Sequence, residues 1–596
     1  MASVAEIDGL TISGGAPAVP SPAAAYSVRL LDSAVGISSY TGAAMRVRRV
    51  TGTGNTGNDD EADVAFDTSL TEPTISLDSA VSNFSAGGSN ATTLGQFLNV
   101  GTVGGTTYTD ADSLAPNTAA AYVDEWKDQS GNANHATQGT PSNQPQIHSG
   151  LASTDLILEN GKPIISRVNN STGFEATAVD MSGSTLSVSS VSLATTSASI
   201  MVWFGTNLNE RLYTGTSGST LTDGGQAGLT ITSAELFWNG SSQGTSATRG
   251  EVYTQFTNNQ TLASWVGLTN LAGTQFNLSQ NVGYWQMHNM QEIIFWESDQ
   301  SSNRTGIEQN INSEFLIYQP TDAPTSGLLA TYTGAAAAYS VRQLSDKAVI
   351  CMRIRRDMGA GNPGDDDETN IGFDANGDLD TQAIADFCTT GTGYVTRWWD
   401  QSVNGNHADQ PVGGTGSNAF QPQIYNGTAV LTENGKPALD FDGTNDRLTF
   451  LNSGLDIGSL SSCVVGKFNS LNQTAGMMQL SGASSNKRWY SPFEFSSTFR
   501  FGYTTTTSIN GGASDTSQHL FTMMAGSTLG NASAWIDGVF KNSTTLDSGI
   551  SGSGGIGDAD STYADCRVQE VIVWGSDQST NRTGIESDID TYFQIP

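Results

Sequence analysis

Two carboxylate–imidazole pairs recur at one spacing in this chain of 596 residues: Asp128 with His135, and Asp400 with His407, each opening an Asp-Gln-Ser block. A carboxylate held beside an imidazole can relay a proton. The same residue types also tie turns, because Asp, Gln and Asn side chains hydrogen-bond readily to backbone, and the block is read that way. A second pattern is Asp374, Asn376, Asp378 and Asp380, just after Asp365-Asp366-Asp367-Glu368. Its alternating oxygen ligands resemble the start of a calcium loop, although the glycine and the closing bidentate glutamate of such a loop are out of place. Calcium is the one cofactor suggested. The first half has only Asp59-Asp60-Glu61 and Asp63 in the corresponding region, so the two halves would not share such a site.

Aromatic side chains form the third candidate set. Trp203, Trp238, Trp265, Trp285, Trp398, Trp399, Trp489 and Tyr490 could stack on sugar rings, but aromatics in sandwiches serve mostly as core. Trp238, Trp489 and Tyr490 lie beside turn-like sequence and are the ones expected to be exposed and ligand-binding. No phosphate-binding glycine loop, catalytic triad signature or zinc spacing stands out, and no catalytic residue is assigned.

The elements that must position these residues come in two copies. Ala24-Ala25-Tyr26-Ser27-Val28-Arg29 recurs as Ala337-Ala338-Tyr339-Ser340-Val341-Arg342, and the Trp126 to His135 block as Trp398 to His407. Gln144-Pro145-Gln146-Ile147 returns as Gln421-Pro422-Gln423-Ile424, Glu159-Asn160-Gly161-Lys162-Pro163 as Glu433-Asn434-Gly435-Lys436-Pro437, and Gln291-Glu292-Ile293-Ile294 as Gln569-Glu570-Val571-Ile572. Matched residues stand farther apart before Phe66 than after Ala120. The first copy therefore carries a Ser/Thr/Gly-rich insertion there, expected as a loop or small surface excursion. These limits give an N-terminal arm (1–22), a first module (23–318), a Pro-containing linker (319–327) and a second module (328–596).

Within each copy, Ile200–Phe204 and Cys463–Val465 are short apolar runs that fit strands buried on two faces. Asn239-Gly240 and Asp537-Gly538, each between apolar residues, predict tight hairpins. Each copy ends in a strand and a helix whose apolar residues are four apart, Ile307, Ile311 and Phe315 in one and Ile585, Ile589 and Phe593 in the other.

Composition agrees with an all-β chain: 67 glycines and only 14% charged residues. With 25 Lys+Arg against 58 Asp+Glu the formal net charge is -33, which repels phosphate backbones and anionic membranes and argues against nucleic-acid or membrane partners. The basic clusters Arg46-Val47-Arg48-Arg49 and Arg353-Ile354-Arg355-Arg356 alternate with apolar residues like strands and are expected to pair with nearby acids. Cys351, Cys388, Cys463 and Cys566 all lie in the second half without CxxC spacing and are expected to be free core thiols. No classical export signal or apolar membrane span is recognisable.

Ser38-Ser39-Tyr40-Thr41-Gly42-Ala43, the Arg46–Arg49 cluster and Trp126-Lys127-Asp128-Gln129-Ser130-Gly131-Asn132-Ala133-Asn134-His135 together resemble the arabinofuranosidase B catalytic-domain family, glycoside hydrolase family 54. The tail of each copy, including Asp440-Phe441-Asp442-Gly443, is similar to concanavalin A-like and laminin G-like sandwiches. The resemblance implies two tandem β-sandwich modules, each closed by a short C-terminal helix. It also implies a retaining hydrolase with two carboxylates roughly 5 Å apart. The family's vicinal Cys-Cys pair before its nucleophilic glutamate is missing here, and Glu235, Glu251 and Glu494 in the corresponding region sit outside the family motif.

The reading that follows is a structural or adhesive virion protein of a tailed phage: a fibre, head-decoration or other appendage protein. It would display lectin-like modules to cell-surface polysaccharide, to other virion proteins or to further copies of itself. The alternatives are an arabinofuranoside-acting glycoside hydrolase and a secreted bacterial carbohydrate-binding protein.

Overall fold

Charged residues alternating with apolar ones suit a strand with one buried face, and Met45–Val50 and Ile350–Asp357 are such strands. The computed structural model describes residues 18–595 except 53–54, 56, 71, 86–89, 110–118, 152–153, 170, 177–184, 195–199, 208–209, 216–234, 245–246, 258, 270–275, 279–285, 288, 361, 363, 412–419, 451–458, 483–487, 503–507, 527–531, 546–549 and 560–561. The chain divides into two compact units, one of Met1–Gly101, Thr107–Leu158 and Lys162–Glu314, the other of Thr102–Thr106, Glu159–Gly161 and Phe315–Pro596.

Both units are antiparallel β-sandwiches with one strand order. In the first, one sheet runs Ala24–Ser27, Asn289–Trp296, Leu186–Leu193, Thr261–Leu268, Glu235–Trp238, Ser241–Gly244. In the second the same order is Ala335–Ser340, Asp565–Trp574, Leu460–Phe468, His519–Ala525, Ala532–Ile536, Val539–Thr544. The strands around Ala120–Trp126 beside Met45–Val50 match those around Thr392–Trp398 beside Ile350–Asp357; in the first unit they form a separate sheet, whereas in the second they run on through Gln423–Tyr425 and Leu439–Asp442 into Asp565–Trp574 as one sheet. Leu460–Phe468 is buried along almost its whole length, as expected for a central strand. Ile200–Asn207 is a strand as well, but the burial of its side chains lies outside the description.

The core is built on paired aromatics. Tyr26 packs on Trp126 with ring centroids 5.8 Å apart, and Tyr339 on Trp398 at 5.9 Å, all four buried. The two hairpin turns form as expected: Asn239 (φ 48°) with Gly240 (φ 80°), and Asp537 (φ 52°) with Gly538 (φ 72°), so both central residues adopt the left-handed backbone that suits the strand twist. Helices Arg304–Phe315 and Arg582–Phe593 close the units, burying Ile307, Ile311, Phe315, Ile585, Ile589 and Phe593. Arg304 lies 3.6 Å from the Phe237 ring centroid and Arg582 4.7 Å from that of Trp535, so each closing helix is stacked onto its hairpin.

The 66–120 insertion departs from the expected loop. It contains the strand Val81–Ser82 and the short helix Leu94–Leu98, capped by the Thr93 side chain. Arg49 donates to the Phe97 carbonyl at 2.9 Å, just as Arg356 donates to the Phe387 carbonyl at 3.0 Å in helix Thr381–Cys388. Part of the insertion is therefore the counterpart of that helix, and five residues are too few to show a 3.6-residue period. Residues 1–17 of the arm lie outside the described residues. The segment 319–327 is tied into the second unit, for Gln319 accepts from the Val349 and Ile350 amides and Asp346 from those of Thr325 and Ser326. All four cysteines are free and buried, and no described helix is long and apolar enough to cross a membrane.

Candidate functional site

The Asp-Gln-Ser blocks act as clamps. Asp128 accepts hydrogen bonds from the Ala25, Ser130 and Asn134 amides and from the Ser130 hydroxyl, at 2.7–2.9 Å. Asp400 accepts the same four from Ala338, Ser402 and Asn406. Gln129 and Gln401 reach along the same edge, from Ser27, Arg29 and Leu31 in one unit to Ser340, Arg342 and Leu344 in the other. Nδ1 of His135 accepts from the Asp128 amide at 3.1 Å, and that of His407 from the Asp400 amide at 3.2 Å. A ring nitrogen that accepts from backbone carries no proton, so these imidazoles do not relay one through Nδ1. Burial, reinforced by Arg397, accordingly lowers the His407 pKa to about 4.

The clamped edge carries a buried ion pair in each unit. Ser27 stands across from Glu292 in the strand pairing, and Ser340 across from Glu570. This register brings Arg29 Nε to 2.8 Å from Glu292 and Arg342 Nε to 2.8 Å from Glu570, both glutamates fully buried. Burial alone lowers the Arg342 pKa, but Glu570 and Asp588 outweigh it and raise it overall. The arginine clusters on the neighbouring strands pair with acids as expected: Arg46 with Asp63 at 2.9 Å, Arg49 with Asp60 at 2.8 Å, Arg355 with Asp366 at 2.5 Å and Arg356 with Asp367 at 2.6 Å.

Where the closing helix of the second unit passes the Arg342–Glu570 pair, the surface opens into a groove of about 620 Å³. Its floor is one helix face, Gly584, Ser587, Asp588 and Thr591, and Tyr332 and Tyr592 line it with Arg342. Tyr332 is positioned by Trp574, whose Nε1 donates to its carbonyl at 3.0 Å. A Cβ at Gly584 would collide with the Tyr332 hydroxyl, so only glycine there lets the ring lie this close to the helix. Tyr592 is held by Lys436, 3.9 Å from its ring centroid, and by an edge contact with Phe593 at 4.8 Å. Burial, with Asp378 next, pushes its phenol far above its ordinary pKa and keeps the hydroxyl protonated. Asp588 holds Arg342 Nη1 at 2.8 Å through one oxygen and remains 42% exposed. Two tyrosine rings, the Ser587 and Thr591 hydroxyls and one half-exposed carboxylate thus line one surface.

Residues that line this surface are replaced in the first unit. At the matching positions stand Val19 for Tyr332, Asn310 for Asp588 and Glu314 for Tyr592. Asn310 accepts from Arg29 at 2.8 Å, and Glu314 binds Lys162 at 2.6 Å. Sequence reasoning read the closing helices only for their apolar faces. A position-by-position comparison of the two helices would have exposed the Glu314/Tyr592 difference.

Residues singled out from sequence fall elsewhere. Trp489 is fully buried with Nε1 donating to Ser462 at 2.9 Å, and Tyr490 is 5% exposed against Phe493, so the exposure expected of them is not found. Both lie in the strand Arg488–Tyr490, which pairs with Met478–Gly482. Trp238 is half-buried at the hairpin. The calcium pattern is taken up by backbone: Asp374 accepts from the Asn376 and Asp378 amides, and Asp380 caps helix Thr381–Cys388 through the Ala383 amide. Among the described residues no group of three or more His, Cys, Asp or Glu side chains is placed to hold a metal ion. Glu235 is bonded to Ser242, Glu251 forms a capping box with Thr248, and Glu494 is fully buried, accepting from the Gln473 amide and Ser514.

No protein-family model matches the chain, and a search of curated proteins finds no match either. Its structural neighbours are family 54 arabinofuranosidases and carbohydrate-binding domains at low identity and partial coverage. One is a GH54 α-L-arabinofuranosidase soaked with a cyclic sulfate inhibitor: 14% identity, TM-score 0.33, 43% of this chain covered and 62% of that one. This chain thus spans less than two thirds of that enzyme's length. Another is domain 4 of a GH43 extracellular arabinanase from Geobacillus stearothermophilus, in complex with arabinotriose: 13% identity, TM-score 0.22, 26% of this chain covered and 80% of that one. A third is the binding domain of botulinum neurotoxin DC in complex with SialylT: 10% identity, TM-score 0.23, 33% of this chain covered and 48% of that one.

Proposed function

We propose that the chain is a carbohydrate-binding display protein, a structural and adhesive component of a tailed-phage virion, and that its second unit holds glycan in the Tyr332–Tyr592 groove. The observation that carries the binding reading is the groove itself, two tyrosines facing a half-exposed carboxylate and helix hydroxyls. A display role is supported by two sandwiches with one frame, in which the recurring polar residues serve as clamps. The proposed partners are a cell-surface polysaccharide and, for assembly, other virion proteins or copies of this chain. The formal net charge of -33 opposes nucleic acid and anionic membranes as partners. Affinity electrophoresis of the full chain through gels containing neutral polysaccharides tests the binding reading. Retardation of the wild type and its loss in Tyr592→Glu is expected, and equal mobility of both in every gel would refute it. Mass spectrometry of purified phage particles tests the virion role, and particles complete without this chain would refute that.

A further inference from the structure

We propose that the groove of the second unit selects uncharged, hydroxyl-rich sugars and rejects uronic, sialic and sulphated ones. The inference rests on the glycan-binding reading above and adds the chemical class of the ligand.

An anionic sugar needs an accessible cation with hydrogen-bonding capacity to spare, and the groove offers little: its arginine is 11% exposed and already makes three hydrogen bonds to carboxylates. Arg342 is its one guanidinium. Nε and Nη2 are bound by Glu570 at 2.8 and 3.3 Å, and Nη1 by Asp588 at 2.8 Å. Lys436, behind Tyr592, lies 3.9 Å from that ring's centroid and 3.7 Å from Asp378. Both cations are thus matched or outnumbered by carboxylates, and the exposed charge left facing solvent is the free side of Asp588. A carboxylate there accepts hydrogen bonds from the hydroxyls of a neutral ring and repels a second carboxylate or a sulphate. The chain's net charge of -33 adds to that repulsion at long range. The first unit illustrates the opposite choice: Asn310 removes the charge and Glu314 removes the aromatic wall.

The test is a titration of the full chain against neutral pentose and hexose oligosaccharides and against uronate and sulphated oligosaccharides of equal length, at low and high sodium chloride. The expected result is that neutral oligosaccharides bind at least tenfold more tightly than the anionic ones. Their affinity should change less than twofold with salt, and each of Asp588→Asn and Tyr592→Leu should weaken binding severalfold with the thermal midpoint unchanged. An anionic oligosaccharide binding most tightly, with affinity falling steeply as salt rises, would overturn this selectivity and leave glycan binding standing. Failure of every oligosaccharide class to bind would remove the glycan-binding reading and this inference with it. Tight neutral binding that both variants leave intact would overturn the assignment to this groove.

Discussion

Arg29 and Arg342 occupy the same place in their units, each locked to a buried glutamate, yet the side chain that completes the guanidinium is Asn310 in one and Asp588 in the other. One helical turn on, Glu314 pairs with Lys162 in the first unit, where Tyr592 packs under Lys436 in the second. The residues that clamp the sheet edge repeat almost bond for bond, while one face of the closing helix has diverged. Core and clamp residues are constrained by many simultaneous contacts, so duplication leaves them fixed. The closing-helix positions 310/588 and 314/592 lie outside the clamp, and there the copies differ: Glu314 is buried against Lys162, whereas Asp588 stays 42% exposed.

The comparison breaks most visibly at the clamps. Asp128→Ala and Asp400→Ala each leave four donors without their acceptor, and each is expected to destabilise its own unit by about 4 kcal/mol. Denaturant unfolding should show equal losses, and a large loss from one substitution with none from the other would show that the frames are not equivalent. Next come the buried pairs. Arg29→Met and Arg342→Met each strand a buried glutamate at a cost of about 3–5 kcal/mol, while the double changes Arg29→Met/Glu292→Leu and Arg342→Met/Glu570→Leu should recover most of it in the same measurement.

Acidity distinguishes the units more finely. Asp446 accepts from the Asp442 amide at 3.0 Å, where the first unit has Thr172 accepting from Val168 at 3.2 Å. Burial, with Asp442 and Asp440 behind it, raises the Asp446 pKa to about 7. The folded state then retains a proton that the unfolded chain releases near pH ~4, so this group's stabilising contribution is complete below ~4 and is lost as pH rises to neutrality. Asp446→Asn should remove that slope and stabilise the second unit at pH 8 by on the order of 2 kcal/mol. The check is the wild-type minus variant denaturation midpoint across pH, and a difference that does not vary would contradict the assignment. Smaller again, Gly538→Ala forces a left-handed backbone on a residue with a Cβ and should cost about 1 kcal/mol in thermal unfolding, as should Gly240→Ala in the matching turn.

Sequence patterns carried the frame well. The Asp-Gly and Asn-Gly turns, the four-residue spacing of the closing helices and the acid-paired arginines are local signals, and each appears in the structure where the pattern put it. The Arg–Glu pairs were present in the repeated Tyr-Ser-Val-Arg and Gln-Glu segments. They could not be joined without a strand register that sets Ser340 opposite Glu570 across 230 residues. The groove was less legible still, because Tyr332, Asp588 and Tyr592 meet only when helix, sheet edge and a loop converge, and no one segment is aromatic enough to announce it. Trp489 and Tyr490 misled for the converse reason: a turn-rich sequence bordered strands whose side chains face inward.

The most direct test of the divergence between the units is the stoichiometry of neutral oligosaccharide binding to the full chain by calorimetry. One site per chain, abolished by Tyr592→Glu and unaffected by Glu314→Gln, is the predicted result; two equivalent sites, or one site that survives Tyr592→Glu, would contradict it.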